Sequence, residues 1–181
     1  MSHITPADLH AISLMSVTIE PRSTRRLLSG PERKEVLHEL KQLPDVDLLV
    51  ADDAALEAMY RLHLVVKRVL GDPNAKSSNR WVSASKLCAR KRRDLFPVRD
   101  REVCTLLGLL RLADARVDWV VFQALIQDTG VQRAIAALPK AAQKAARGRE
   151  LVLDSSHLRL LDAALWTYAK KRVPEAAAAE E

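Results

Sequence analysis

Apolar residues recur along most of the chain at intervals of three and four positions, which is the spacing of helices that bury one face. The first such segment opens with Thr5 as a cap and Pro6 at the first helical position. A longer segment, capped by Asp52 or Asp53, runs to Leu70 and is apolar most of the way round. This breadth predicts a central helix rather than a peripheral one.

The second half of the chain predicts further helices. One is expected from about Val82 to Arg92, followed by an extended segment, because Pro97 disfavours a helical conformation in the residue before it. Another is expected from near Asp100 to about Ala113. In the first half, shorter helices are also predicted from about Arg22 to Ser29 and from Pro31 to Leu43. Further predicted helices cover residues 117–126, 131–138 and 140–147, the last two broken at Pro139, and a final segment is capped by Ser155 or Ser156.

The composition agrees with this pattern, since the 181 residues include only 5 Gly and are rich in Ala, Leu, Arg and Glu. A chain of this length buries roughly 70% of its unfolded surface and can form a core without disulfides. We therefore expect an all-α protein, a single globular domain of about eight helices over residues 1–172. The Pro-Ala-Glu segment at residues 173–181 is expected to be a disordered tail.

Several classes of function receive no support from the sequence. The N-terminus lacks the features of a signal peptide, and no apolar run approaches the roughly 20 residues that span a bilayer, so we expect a cytoplasmic protein without membrane partners. Cys88 and Cys104 have no cysteine or histidine at metal-ligand spacing and are interpreted as reduced core thiols. His63, on the apolar face of the long helix, is typical of a hydrogen-bonded core histidine. No metal site and no cofactor are predicted.

Positive charge is concentrated in one segment, residues 76–101, which we call the basic stretch. It holds nine of the 29 Lys and Arg residues and only two of the 23 acidic residues, a local charge of +7 against −1 for the rest of the chain. A segregated charge of this kind indicates an anionic partner.

Within the basic stretch, Lys86, Arg90 and Arg93 recur at helical spacing on the side opposite Ala84 and Leu87. Like charges at this spacing destabilise an isolated helix, and a bound polyanion would offset that cost. We expect these three residues, with Arg80 and Arg92, to neutralise phosphates, and Trp81 to stack on a base or to anchor the helix start in the core. The alternatives are a solvated surface, an acidic protein partner and an anionic lipid surface, the last lacking a bulky apolar face.

The same stretch carries a distinctive run of residues: Trp81-Val82-Ser83-Ala84, Lys86-Leu87, Ala89-Arg90-Lys91-Arg92, Leu95, Pro97-Val98 and Asp100. This run resembles the signature of an uncharacterised actinobacterial family, one of the numbered domains of unknown function. The resemblance extends from about Ile4 to Tyr168 and implies no activity. It also implies that longer members begin upstream of Met1.

A second resemblance rests on the order of elements: a helix, a tight loop, a helix that begins at Ser83-Ala84, an extended Pro97-Val98 segment, and Asp100 before the next helix. This order is similar to the helix-hairpin-helix DNA glycosylases and implies a degenerate helix-hairpin-helix element over residues 53–93. The resemblance implies that Asp100 is the aspartate that activates water. However, the loop before Trp81 has no glycine for close approach to phosphate, and the position of the family's lysine nucleophile falls near Val82.

The sequence thus favours a domain that binds nucleic acid, most readily DNA, through the basic helix and the loop before it. One alternative is a hydrolase of the glycosylase type, with Asp100 as general base. Asp100 can instead have a purely structural role, as the N-cap of the following helix or as an ion-pair partner. The other alternative is a protein-interaction module that uses the same basic face on an acidic partner.

Overall fold

The computed structural model describes residues 3–71, 80–112 and 114–178, with side chains described through residue 171. The described residues form nine α-helices and one 3₁₀ turn, and they contain no strand. The predicted all-α class is confirmed. None of the described helices combines the length and apolar character that a membrane span needs.

The chain divides into two compact units, Met1–Arg99 and Asp100–Glu181, which are described separately. The single domain expected over residues 1–172 stays a prediction. Unit 1 contains α1 (Pro6–Ser13), α2 (Pro21–Leu28), α3 (Glu32–Gln42), the 3₁₀ turn (Leu48–Val50), α4 (Asp53–Leu70) and α5 (Trp81–Lys91). Unit 2 contains α6 (Arg101–Leu106), α7 (Ala115–Gln127), α8 (Thr129–Ala145) and α9 (His157–Ala178).

Helix α4 is the centre of unit 1, as its broad apolar surface predicts. It packs against α2, α3 and α5, and α1 packs in turn against α5. Asp52 caps α4 by accepting the backbone N–H of Ala55 at 2.8 Å. The side chains of Met59, Leu62 and Val66 are fully buried. Each such side chain contributes roughly 1.5 to 3 kcal/mol of burial free energy, so α4 is the main source of core in this unit.

In unit 2, α9 packs against α6, α7 and α8, and α7 packs against α8. The core is built from Trp119 and Phe122 of α7, Ile135 of α8, and Leu158 and Leu161 of α9. Ile135 is the single residue of α8 that is fully buried. Most of α8 therefore faces solvent in this unit.

The helix predicted from Asp100 to Ala113 is shorter than expected, because α6 ends at Leu106. Gly108 adopts a left-handed φ of 71°, and the N–H of Leu109 donates to the carbonyl of Cys104 at 2.7 Å. This is the Schellman arrangement that terminates helices at a glycine. The sequence prediction overlooked Gly108 as a stop signal.

The prediction of two short helices broken at Pro139 is wrong, because α8 continues through Pro139 without interruption. A proline inside a helix removes one backbone hydrogen bond and crowds the preceding turn, which kinks a helix more often than it divides one. Good helix formers on both sides of Pro139 favour a single element.

Two predictions fall at the edges of the described chain. The loop of the expected helix-hairpin-helix element lies largely in residues 72–79, outside the described residues, so that element stays a prediction. Helix α9 extends to Ala178 and includes six residues of the segment predicted as a disordered tail. Disorder of that tail also stays a prediction.

Candidate nucleic-acid interface

Helix α5 carries the basic residues, but it is buried on most of its circumference. Its buried residues include Trp81, Lys86 and Lys91 as well as the expected Ala84 and Leu87. The structure corrects the view of Lys86 as a solvent-facing cation, since its Nζ donates to the carbonyl oxygen of Met15 at 2.7 Å. Met15 follows the last turn of α1, where carbonyl groups lack partners in the helix and carry partial negative charge. Lys86 therefore holds α1 against α5.

One carboxylate in α1 faces two cations of α5. Lys91 Nζ lies 2.8 Å from Asp8 Oδ2, and Arg90 Nε lies 3.3 Å from Asp8 Oδ1. The side chains of Asp8 and Lys91 are 7% and 6% exposed, whereas that of Arg90 is 50% exposed. Lys91 thus neutralises Asp8 inside the unit, and Arg90 contributes a surplus positive charge at the surface.

Asp8 is also fixed by its own helix start. The backbone N–H and the hydroxyl of Thr5 both donate to Asp8 Oδ2 at 2.9 Å. The hydroxyl oxygen of Thr5 in turn accepts the backbone N–H of Asp8 at 3.3 Å, which completes a capping box. Burial alone would raise the pKa of Asp8, but the hydrogen bonds from Lys91 and Thr5 outweigh that effect and hold the pKa below its usual value. The carboxylate is consequently charged and fully engaged at neutral pH.

Arg92 lies at the C-terminal end of α5 and points at the end of α3. Its guanidinium donates to the carbonyl oxygens of Leu43 and Pro44, and Asp45 lies 3.7 Å away. These carbonyls follow the last turn of α3, so Arg92 acts as a C-terminal cap supplied from another helix. Its charge therefore ties the end of α5 to the residues that follow α3.

Trp81 anchors the start of α5 and is not an open stacking platform. Lys67 Nζ and Arg99 Cζ lie over its ring at 5.1 Å and 4.2 Å from the centroid. The ring of His63 meets it edge-on at a centroid distance of 6.1 Å. Burial and the neighbouring Lys67 ammonium lower the pKa of His63 to about 4. His63 is therefore a neutral core residue beside cations, and its predicted position in the core is confirmed.

The remaining predicted contacts lie nearer the surface. Arg80 forms an ion pair with Glu20, the residue that precedes α2. Arg93 is exposed just beyond the end of α5, three positions after Arg90. Six residues are predicted to bind nucleic acid. Two of them, Arg90 and Arg93, lie at the same exposed end of α5.

Asp100 begins α6 as its N-cap, and its Oδ1 accepts the backbone N–H of Glu102 at 2.9 Å. The N-cap role is the structural alternative to a general base that the sequence analysis gives for Asp100. The extended segment before it is held from α5 by Ser85, whose hydroxyl donates to the carbonyl of Pro97 and accepts the N–H of Arg99. Asp100 thus has a defined role in starting a helix.

The sequence interpretation missed two features. The first is Asp8 as the internal counter-ion of α5, although Thr5 and Asp8 have the spacing of a capping box. The second is an exposed pair of arginines, Arg22 and Arg25, on the outer side of α2. Among the described residues, no group of three or more His, Cys, Asp or Glu side chains is placed to hold a metal ion.

Comparison with protein families gives one match. Residues 1–169 match the model of DUF6308, a family of unknown function. The chain belongs to this family. No curated protein and no solved structure matches the chain.

Membership of DUF6308 confirms the resemblance to an uncharacterised domain family, with nearly the predicted extent. The match includes the basic stretch and the whole of α8. The resemblance to helix-hairpin-helix glycosylases receives no support from these comparisons.

Proposed function

We propose that this DUF6308 protein binds the phosphate backbone of nucleic acid through the exposed end of α5, with Arg90 and Arg93 as contacts. The observation that carries the proposal is the sharing of Asp8 between two cations, Lys91 and Arg90. Because Lys91 is the closer and more buried partner, Arg90 can turn to a phosphate without leaving a buried carboxylate unpaired.

The inward-facing cations cannot turn to a phosphate without breaking hydrogen bonds that hold the helices together. Moving Lys86 or Arg92 to a ligand would leave carbonyl groups at the ends of α1 and α3 without a donor. These hydrogen bonds are partly buried, and losing one costs roughly 0.5 to 1.5 kcal/mol, which would offset much of the gain from one phosphate contact. We therefore assign Lys86, Lys91, Arg92 and Trp81 to the scaffold that presents Arg90 and Arg93.

An acidic protein partner would bind the same two arginines, and the test below distinguishes it from nucleic acid. The hydrolase alternative has no specific observation in its favour, because the carboxylate of Asp100 is engaged by the helix that it starts.

The test is fluorescence-anisotropy binding of the full chain to labelled single-stranded and duplex oligonucleotides over a salt titration. Replacing Arg90 and Arg93 together with Ala is expected to lower the slope of log affinity against log salt by about two units, roughly 0.9 per phosphate contact.

The matched control removes two exposed cations from α3, Lys34→Ala with Lys41→Ala, and so changes the net charge equally. An equal slope change in the control and in the α5 variant would show general charge attraction and contradict the proposal. Binding to an acidic peptide but to neither oligonucleotide would move the function to a protein partner.

A further inference from the structure

A second basic surface lies in unit 2 and shares no residue with the basic stretch. Arg133, Lys140 and Lys144 are exposed on α8, and their separations of seven and four positions place them on one face of the helix. The face extends about 16 Å from Arg133 to Lys144, at 1.5 Å per residue. No acidic residue occurs between Asp128 and Glu150.

The turn after α8 adds two more cations in a fixed arrangement. Arg147 and Arg149 are exposed, and the side chain of Gln143 donates to the carbonyl of Arg149 at 2.7 Å and accepts the N–H of Leu151 at 3.2 Å. Gln143 thus fixes the backbone of the turn. In the described part of the chain, Lys140, Lys144, Arg147 and Arg149 form no ion pair.

Arg147 has a φ of 51°, in the left-handed region that favours glycine, and Gly148 follows with a φ of 85°. A residue with a Cβ in this conformation costs about 1 kcal/mol relative to glycine. The chain carries a cation where glycine would be more stable. Strained positions of this kind concentrate at functional sites.

The side chains between these cations are small. Exposed alanines, at positions 134, 136, 137, 141 and 145, occupy the rest of the outer side of α8. A partner can therefore approach the helix closely, but on α8 itself it finds no aromatic or bulky apolar anchor of the kind that protein interfaces use. Charge without apolar anchors fits a phosphate backbone better than a protein.

We propose that the outer face of α8, with the turn at Arg147 and Arg149, is a second surface for the phosphate backbone of nucleic acid. Lys140, Lys144 and Arg147 are its principal contacts. It differs from the α5 site in residues and in unit, so variants of one surface leave the other unchanged. A lipid surface is the competing partner, because Leu151, Val152 and Leu153 are exposed directly after the turn.

The test uses the full chain and two variants that are expected to stay folded. Lys140→Ala with Lys144→Ala keeps strong helix formers on an exposed face. Arg147→Gly removes a charge while relieving the left-handed backbone. In the oligonucleotide salt titration, the double variant is expected to lower the slope by about two units and Arg147→Gly by about one. The double Lys34 and Lys41 variant on α3 is again the matched control.

The outcomes separate the two proposals. A slope that falls in the Arg90 and Arg93 variant and not in the α8 variants overturns the second surface and leaves the first intact. The reverse result supports α8 and removes the first. Loss of binding to vesicles containing phosphatidylserine, with oligonucleotide binding unchanged in the α8 variants, overturns the proposal in favour of a lipid surface. An absence of oligonucleotide binding by the unmodified chain at about 50 mM salt overturns both.

Discussion

Asp8 and Lys91 form a buried ion pair, with 2.8 Å between Oδ2 and Nζ, that joins the first turn of α1 to the last turn of α5. The two residues are 83 positions apart in the chain. The pair completes its hydrogen bonds through Thr5, which donates twice to the same carboxylate oxygen. The buried pair therefore has its hydrogen bonds satisfied, and removing only one of the two charges is costly because the other is left buried without its partner.

We predict that Lys91→Met destabilises the protein by about 3 to 5 kcal/mol, because it leaves the Asp8 carboxylate buried with only the more distant Arg90. Arg90→Ala should cost less than about 1 kcal/mol, since its side chain is half exposed and Lys91 remains. Urea unfolding followed by circular dichroism measures both. A Lys91→Met variant as stable as Arg90→Ala would mean that the pair is not buried in solution.

His63 gives the stability a defined pH dependence. Its pKa falls from an ordinary 6.5 to about 4 through burial, with Lys67 and Arg99 opposing the charged form. Between these values the unfolded chain binds more protons than the folded chain, so stability rises with pH across this window and is lost as pH falls. The difference corresponds to about 3 kcal/mol. Asp8, whose folded pKa is below its usual value, stabilises the fold at neutral pH and loses that contribution only as pH falls below the usual aspartate pKa.

The measurement is the free energy of unfolding in urea from about pH 7 to about pH 4. We expect His63→Leu to flatten this profile, whereas His10→Gln on the exposed side of α1 should leave it unchanged. A profile that keeps its slope in His63→Leu would assign the acid sensitivity to another group.

Asp100 is predicted to matter for stability through hydrogen bonding rather than charge. Asp100→Ala should cost about 1 kcal/mol by removing the cap of α6, whereas Asp100→Asn should cost only a few tenths, because asparagine caps helices as well as aspartate does. Thermal unfolding of the two variants gives the comparison. If Asp100→Asn abolished a measurable DNA glycosylase activity while keeping full stability, the carboxylate would be a catalytic base and our assignment would fail.

Much of the fold follows from local patterns. The caps at Thr5 and Asp52 and the broad apolar surface of α4 are local signals, and the structure places those helices where the signals indicate. The local patterns fail at two residues, Pro139 and Gly108. The helix α8 continues through Pro139 and α6 ends before Gly108, because helix continuation at such residues depends on what surrounds them.

The direction that each cation faces could not be predicted in the same way. The periodicity placed Lys86 opposite the apolar side of α5, but it gave no sign that α1 covers that side and offers a free carbonyl at Met15. Arg92 likewise meets carbonyls 48 and 49 positions away. Helix C-termini attract cations wherever the fold brings the two together, and that depends on tertiary packing.

The cations of the basic stretch divide into those that hold unit 1 together, such as Lys86, and exposed ones, such as Arg90, that can turn to a phosphate. This division is tested most directly by measuring unfolding free energy and the salt slope of oligonucleotide binding on Lys86→Met and Arg90→Ala. We predict that Lys86→Met lowers stability by about 1 to 3 kcal/mol and leaves the slope unchanged. Arg90→Ala should leave stability nearly unchanged and lower the slope by about one unit. A lowered slope in Lys86→Met, or an unchanged slope in Arg90→Ala, would contradict the account.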